Sequence, residues 1–138
     1  MGDVKICDIT DAVRDEIKKF RFSKNNDNAA LILKVDRDKQ IIVVDEYLED
    51  VSIADLQELL PGHQPRYIVY TYRMVHDDSR VSHPMCFIFY TPRDSHMGLQ
   101  MMYAGTKTAI QQEVGVTKVF EVRDLDDFTE DWLREKLK

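Results

Sequence analysis

Residues 99–115, LQMMYAGTKTAIQQEVG, set the architecture, because their period differs from that of the segments before them. Leu99, Tyr103, Thr106, Ile110 and Val114 recur at intervals of four, three, four and four, the spacing of one face of an α-helix. Gly115 stands where a left-handed residue ends such a helix. The spacing predicts a long helix after Pro92. Its opposite stripe carries Met101, Gly105, Thr108 and Gln112. A solvent face ordinarily carries Lys and Glu. An uncharged stripe with a Met suits an apolar groove on a partner, although a tolerated surface Met has the same spacing.

Working outward, the segments RYIVYTYRM (66–74) and MCFIFYT (85–91) are aromatic and aliphatic, with polar HDDSRVSHP between them; they read as a hairpin with a projecting loop. Upstream, AALILKV and QIIVVDEY flank the polar turn DRDK and read as a second hairpin. Between the hairpins, Ser52 and Asp55 make a capping box for a short helix that Pro61-Gly62 closes. Near the start, Val13, Ile17 and Phe20 form one stripe of an amphipathic helix over 11–22, ended by SKNNDN. After the long helix, TKVFEVR reads as a last strand, and Asp127 with Glu130 as the cap of a terminal helix carrying Trp132, Leu133 and Leu137. The fold class is therefore α/β (α+β): a central mixed sheet of about five strands, flanked on both faces by about four helices. No linker or repeat divides the 138 residues, so a single domain over 1–138 is expected.

Charge narrows the function. The chain carries 19 Lys and Arg against 25 Asp and Glu, a formal net charge of -6, which argues against a general nucleic-acid or anionic-membrane binder. No apolar run approaches the roughly 20 residues of a membrane span, and Ile6 stands where a myristoylation pattern requires Ser or Thr. A soluble, cytoplasmic monomer is expected. Cys7 and Cys86 match neither a zinc nor a redox spacing and read as buried thiols. A metal site from His76, Asp77 and His83, or a nucleophile built from Cys86, His83 and Asp77, can be drawn. The first is outweighed by solvated loop residues, and the second by a thiol inside an apolar strand. The clusters DEYLED and DLDDFTED read as turn and cap acids rather than a paired-carboxylate centre. P-loop, GxGxxG, GxSxG and HExxH motifs are all missing from the sequence, so no catalytic residue, metal or cofactor is assigned.

QMMYAGTKTAI resembles the KMxYASSKxA helix of the cofilin and actin-depolymerising-factor (ADF) homology domain. KFRF, the hairpin QPRYIVYTYRMVHDDSRVSHPMCFIFYTP, TKVFEVR and EDWLREKL extend that resemblance to the glia maturation factor family, from about Cys7 to Leu137. The resemblance implies the ADF-homology fold, in agreement with the pattern. It also implies an actin cytoskeleton regulator that binds the actin-related protein two/three complex, inhibits branch nucleation and promotes debranching, by binding rather than by catalysis. Actin subunits at branch junctions are further contacts it implies.

On this resemblance Gln100, Met101, Gly105 and Thr108, with Met1, Gly2 and Asp3, enter a groove of an actin-related subunit, and Lys19 and Arg21 extend that surface. A second surface combines Asp77, Asp78 and Arg80 with Glu130 and Arg134. The basic pair that cofilin carries at the start of this helix is replaced here by Gly98 and Gln100, and no Ser or Thr precedes Thr10. The first departure weighs against the alternative, a cofilin-like severing and depolymerising protein, because charges govern partner discrimination. The second removes the N-terminal phosphorylation switch of cofilin.

Overall fold

The computed structural model describes residues 7–22 and 28–137. β1 (Asp8–Ile9) is too short to leave a periodic signal; it pairs parallel with the start of β3 (Ile41–Glu49). α1 (Asp11–Arg21) follows, capped by Thr10, whose Oγ1 accepts the Val13 N–H at 3.3 Å. Val13, Ile17 and Phe20 turn inward, as their spacing predicts. β2 (Ala29–Asp36) and β3 form the first hairpin.

The register of that hairpin shifts at one place. Leu33 pairs with Val44 and Ile32 with Glu46, so Asp45 is the extra residue of a β-bulge. Its carboxylate accepts from Arg66 Nε at 3.1 Å and lies 3.7 Å from Lys34 Nζ, which joins three neighbouring strands. The bulge also re-phases the strand, so that Tyr47 shares a face with Val44 and meets Phe20 edge-on, ring centroids 6.0 Å apart.

α2 (Ile53–Leu59) begins with the predicted capping box: the Asp55 N–H donates to Ser52 Oγ at 3.0 Å and the Ser52 N–H to Asp55 Oδ2 at 3.1 Å. β4 (Arg66–Thr71) stops three residues short of the expected strand. Opposite its end stands Pro84, which accepts the Tyr72 N–H at 3.0 Å but has no N–H to return, so the ladder cannot continue. Met74 instead opens a separate ribbon, β5 (Met74–Val75) against β6 (Val81–Ser82), before β7 (Met85–Tyr90) returns to the sheet.

α3 (Met97–Val114) is the long helix, closed by Gly115 at φ 72°, where a side chain would be strained. β8 (Val119–Val122) then pairs parallel with β7. α4 (Glu130–Leu137) corrects one expectation, because Thr129 rather than Asp127 caps it, its Oγ1 accepting the Trp132 N–H at 3.1 Å. Asp124 caps a 3-10 turn over Leu125–Asp127, which takes Asp127 before the helix can start.

The main sheet runs β1-β3-β2-β4-β7-β8, antiparallel in its middle and parallel at both margins. α1 and α3 cover one face, packing Ile17, Phe20, Tyr103 and Ile110 on Leu33, Tyr67 and Phe87. α2 and α4 cover the other, packing Leu56 and Leu133 on Ile32, Ile68 and Ile88. Because both faces are covered, the central strands read as continuous apolar runs rather than alternating ones. Cys7 and Cys86 are free thiols buried on opposite faces of this sheet, which excludes a disulfide between them.

Candidate partner-binding site

Tyr103 fixes the orientation of α3. Its hydroxyl accepts the Val35 N–H at 2.9 Å, beyond the last β2–β4 pair, on the side of β2 that β4 no longer covers. Its carbonyl accepts the Tyr67 hydroxyl at 2.5 Å, and the two rings pack 5.2 Å apart. Burial pushes both phenols above the ordinary tyrosine range, so they remain neutral hydrogen-bonding groups. Ile110 and Val114 hold the far end of the same stripe at 0% exposure.

With Tyr103 turned in, Met101 must turn out, because two residues are about 200° around the helix. Met101 is 62% exposed and Met97, one turn earlier, 70%. Gly105, Thr108 and Gln112 are exposed along the same side, as expected. The two methionines border an open cleft of ≈ 230 Å³ between α3 and β8, floored by Phe89, Thr91 and Ala104 and walled across by Glu121 and Arg123. The helical spacing singles out Met101 without Met97 or the opposite wall. The i, i+4 spacing of the two methionines is the signal that reveals the first, whereas the β8 residues are brought in only by the parallel crossover.

Gln100 is half-buried and turned sideways. Its Nε2 donates to the Ser95 carbonyl at 2.8 Å and the Arg93 carbonyl at 3.4 Å, tying the preceding turn to the helix. His96 caps α3, its Nδ1 accepting the Gly98 N–H at 3.0 Å. A Cβ on Gly98 would lie 3.1 Å from the imidazole, so glycine makes room for this cap. The first turn of α3 has no acidic residue, which leaves the positive end of the helix dipole without a counter-charge of its own.

The other residues of the expected first surface divide. Met1, Gly2 and Asp3 lie outside the described residues. Lys19 pairs with Glu16 at 3.5 Å, and the Arg21 guanidinium lies beside Gly115 at the C-terminal end of α3. Met101 and Gly115 are 14 positions apart, about 21 Å of helix, so Arg21 and Met101 occupy opposite ends of one elongated surface.

The second expected surface also has two parts. At the ribbon tip Arg80 pairs with Asp78 at 2.8 Å, and that guanidinium holds the Asp78 carboxyl below its usual range; Asp77 beside them is exposed. At the ribbon base the Tyr72 hydroxyl donates to Glu130, and Tyr72 and Met74 pack with Leu133 and Leu137 of α4. Arg134, exposed on the same helix, favours the ionised form of Tyr72, while burial pushes that phenol up to about 12. Ribbon and α4 therefore adjoin at the base.

Chemistry of the bond-making kind finds little here. Cys86 is fully buried, and burial pushes its thiol up to about 12, so it is not a thiolate near neutral pH. His76 Nε2 is hydrogen-bonded to Ser82 Oγ at 2.8 Å across the ribbon. Among the described residues no three His, Cys, Asp or Glu side chains converge as a metal site, and no helix is long and apolar enough to cross a membrane.

A mixed sheet covered by two helical layers, with a long helix that turns an apolar pair of methionines outward, can be compared with known proteins. The sequence profile of the cofilin/tropomyosin-type actin-binding proteins matches residues 6–138. The chain is 64% identical over 138 residues to glia maturation factor of Drosophila melanogaster, covering 100% of both. It is 50% identical over 132 residues to human glia maturation factor beta, covering 96% of this chain and 93% of that one. The solution structure of glia maturation factor from Caenorhabditis elegans superposes with a TM-score of 0.82 at 41% identity, over 99% of each chain. This chain belongs to the cofilin/tropomyosin-type actin-binding family, in its glia maturation factor branch.

Proposed function

We propose that this chain binds the actin-related protein two/three complex through the outer face of α3, restrains nucleation of branches and promotes release of daughter filaments. Its place is the cytoplasmic actin cytoskeleton, and it acts by binding without catalysing a reaction. The observation that carries the reading is the Met97–Met101 face: two large apolar side chains, 70% and 62% exposed, on a helix whose opposite side is clamped to the sheet through Tyr103. A face of that kind is the apolar stripe a groove-binding helix offers. The ribbon tip and α4 form the second, effector surface.

The test is binding to purified actin-related complex and to filamentous actin, with branched networks imaged in parallel. The wild type binds the complex and dissociates branches at concentrations that leave bare filaments intact. Met101→Asp loses on the order of 2 kcal/mol of binding, about 30-fold in affinity, or more. Retained binding by Met101→Asp removes the anchor. Efficient severing of unbranched filaments at equal or lower concentration replaces this reading with the cofilin-like one.

A further inference from the structure

We infer that Glu130 is a positioning residue rather than a contact of the partner: through the Tyr72 hydroxyl it fixes the angle at which the β5–β6 ribbon stands on α4, and with it the spacing between the ribbon tip and Arg134. This rests on ribbon and α4 being the effector surface, and it specifies which residues of that surface act on the partner and which act on each other.

The ribbon leaves the sheet through a narrow joint. The main ladder ends where Thr71 faces Met85, and the ribbon begins where Met74 faces Ser82, so Tyr72 and Arg73 on one side and His83 and Pro84 on the other carry it. Across that joint the Tyr72 N–H donates to the Pro84 carbonyl at 3.0 Å, but the proline has no N–H to return. Beyond it the pairs Met74–Ser82 and Val75–Val81 form the ribbon ladder, and two strands that short have little rigidity of their own. The direction of the ribbon is set by what it leans on.

It leans on α4. Tyr72 and Met74, 4% and 8% exposed, pack with Leu133 and Leu137. Apolar packing has no preferred direction, so by itself it leaves the ribbon free to pivot. The Tyr72 hydroxyl supplies the direction: it donates to Glu130 Oε2 at 2.5 Å, a short, charge-assisted bond. Glu130 lies in the first turn of α4, where the helix dipole favours a carboxylate, and Arg134, four residues on, is drawn to the same hydroxyl from the next turn. On the sheet side the Arg73 N–H donates to Asn28 Oδ1 at 2.7 Å. The joint is thus held from two sides, and the side toward α4 depends on one hydroxyl. Tyr72 and Asp78 are six positions apart, at most about 20 Å of strand, so a pivot of about 10° at the joint carries the tip about 3 Å. A displacement of that size takes Arg80 away from a site that Arg134 still meets.

The test is a double-mutant cycle on branch release, with Tyr72→Phe, Glu130→Ala and the two together in the full chain, alongside equilibrium binding to the purified actin-related complex. Each single variant is expected to slow release several-fold, and the double variant to match the slower single one within about twofold, because both remove the same bond. Affinity for the free complex, which α3 supplies, stays within about twofold of wild type in all three, a separation that general loss of folding does not produce. Glu130→Gln, which keeps an acceptor for the hydroxyl and removes the charge, releases branches faster than Glu130→Ala. Spin labels on Asp77→Cys and Lys136→Cys report the pivot directly, as a broader distance distribution in Tyr72→Phe than in its parent; Cys7 and Cys86 are buried and do not compete for label. Effects that multiply in the double variant, normal release by Tyr72→Phe, or an unchanged label distance each overturn the clamp, while release by the wild type still upholds the effector surface. A wild type that releases no branches overturns the clamp together with the reading beneath it.

Discussion

At the scale of single residues, Tyr103 and Met101 are two positions apart and have opposite work. The Tyr103 hydroxyl is the partner of a β2 N–H that has run past the end of β4. Removing it leaves a buried donor unpaired, a cost of about 1–3 kcal/mol. Tyr103→Phe should therefore lower stability by that amount in urea unfolding, whereas Met101→Asp, on a surface that is 62% exposed, should stay within about 0.5 kcal/mol of wild type. A Met101→Asp chain that unfolds like a core variant, or a neutral Tyr103→Phe, contradicts the orientation of α3. That orientation is legible in the spacing of Leu99, Tyr103, Ile110 and Val114 alone. The posture of Gln100 is not, because its amide is recruited by carbonyls five and seven residues back, in a turn whose path no periodicity reports. Spacing shows which way a residue leaves the helix but not where a long side chain then folds.

At the scale of elements, what the sequence conceals is where a regular pattern is interrupted. β3 keeps a regular register with β2 from Ile41 to Val44, and only the bulge at Asp45 brings Tyr47 round to α1 and puts a carboxylate within reach of Arg66. β4 ends early because a proline faces it, and the leftover residues build the β5–β6 ribbon. The ribbon is joined to α4 at its base through Tyr72 and Glu130, while its tip closes its own ion pair between Asp78 and Arg80. On the proposed reading, tip and helix act as a surface separate from the outer face of α3. Reversing charge at Arg80 and Arg134 together should slow branch release several-fold and leave affinity for the free complex within about twofold, since rim charges act on encounter and discrimination more than on an apolar anchor. Timed imaging of branch loss alongside equilibrium binding distinguishes the two effects. Loss of binding to the free complex by this variant would show that the two surfaces are not separate.

At the scale of the whole molecule, the sheet carries buried tyrosines on both of its covered faces, Tyr67 and Tyr103 under α1 and α3, and Tyr70, Tyr72 and Tyr90 under α2 and α4. Burial is the first cause of an upward shift in all five phenols, and for Tyr72 the value reaches about 12. Each is held neutral in the folded chain at a pH where an unfolded tyrosine, near 10, has begun to ionise. The sign follows from linkage: the unfolded state binds fewer protons than the native state above about pH 10, so stability falls as pH rises. The contribution is complete below about 10 and is lost on the way to the folded values. Because the hydroxyls tie α3, the segment before α2, and α4 to one sheet, through Tyr103, Val51 and Glu130, ionisation on either face loosens elements that share the same strands. The expected behaviour is a stability that does not fall between about pH 7 and 9 for want of any tyrosine, followed by a single alkaline transition above about 10. In it, tyrosinate absorbance and helical circular dichroism change together. Tyrosinate appearing well before the loss of helix would mean that these phenols ionise inside an intact fold, and that burial between two helical layers does not hold them neutral.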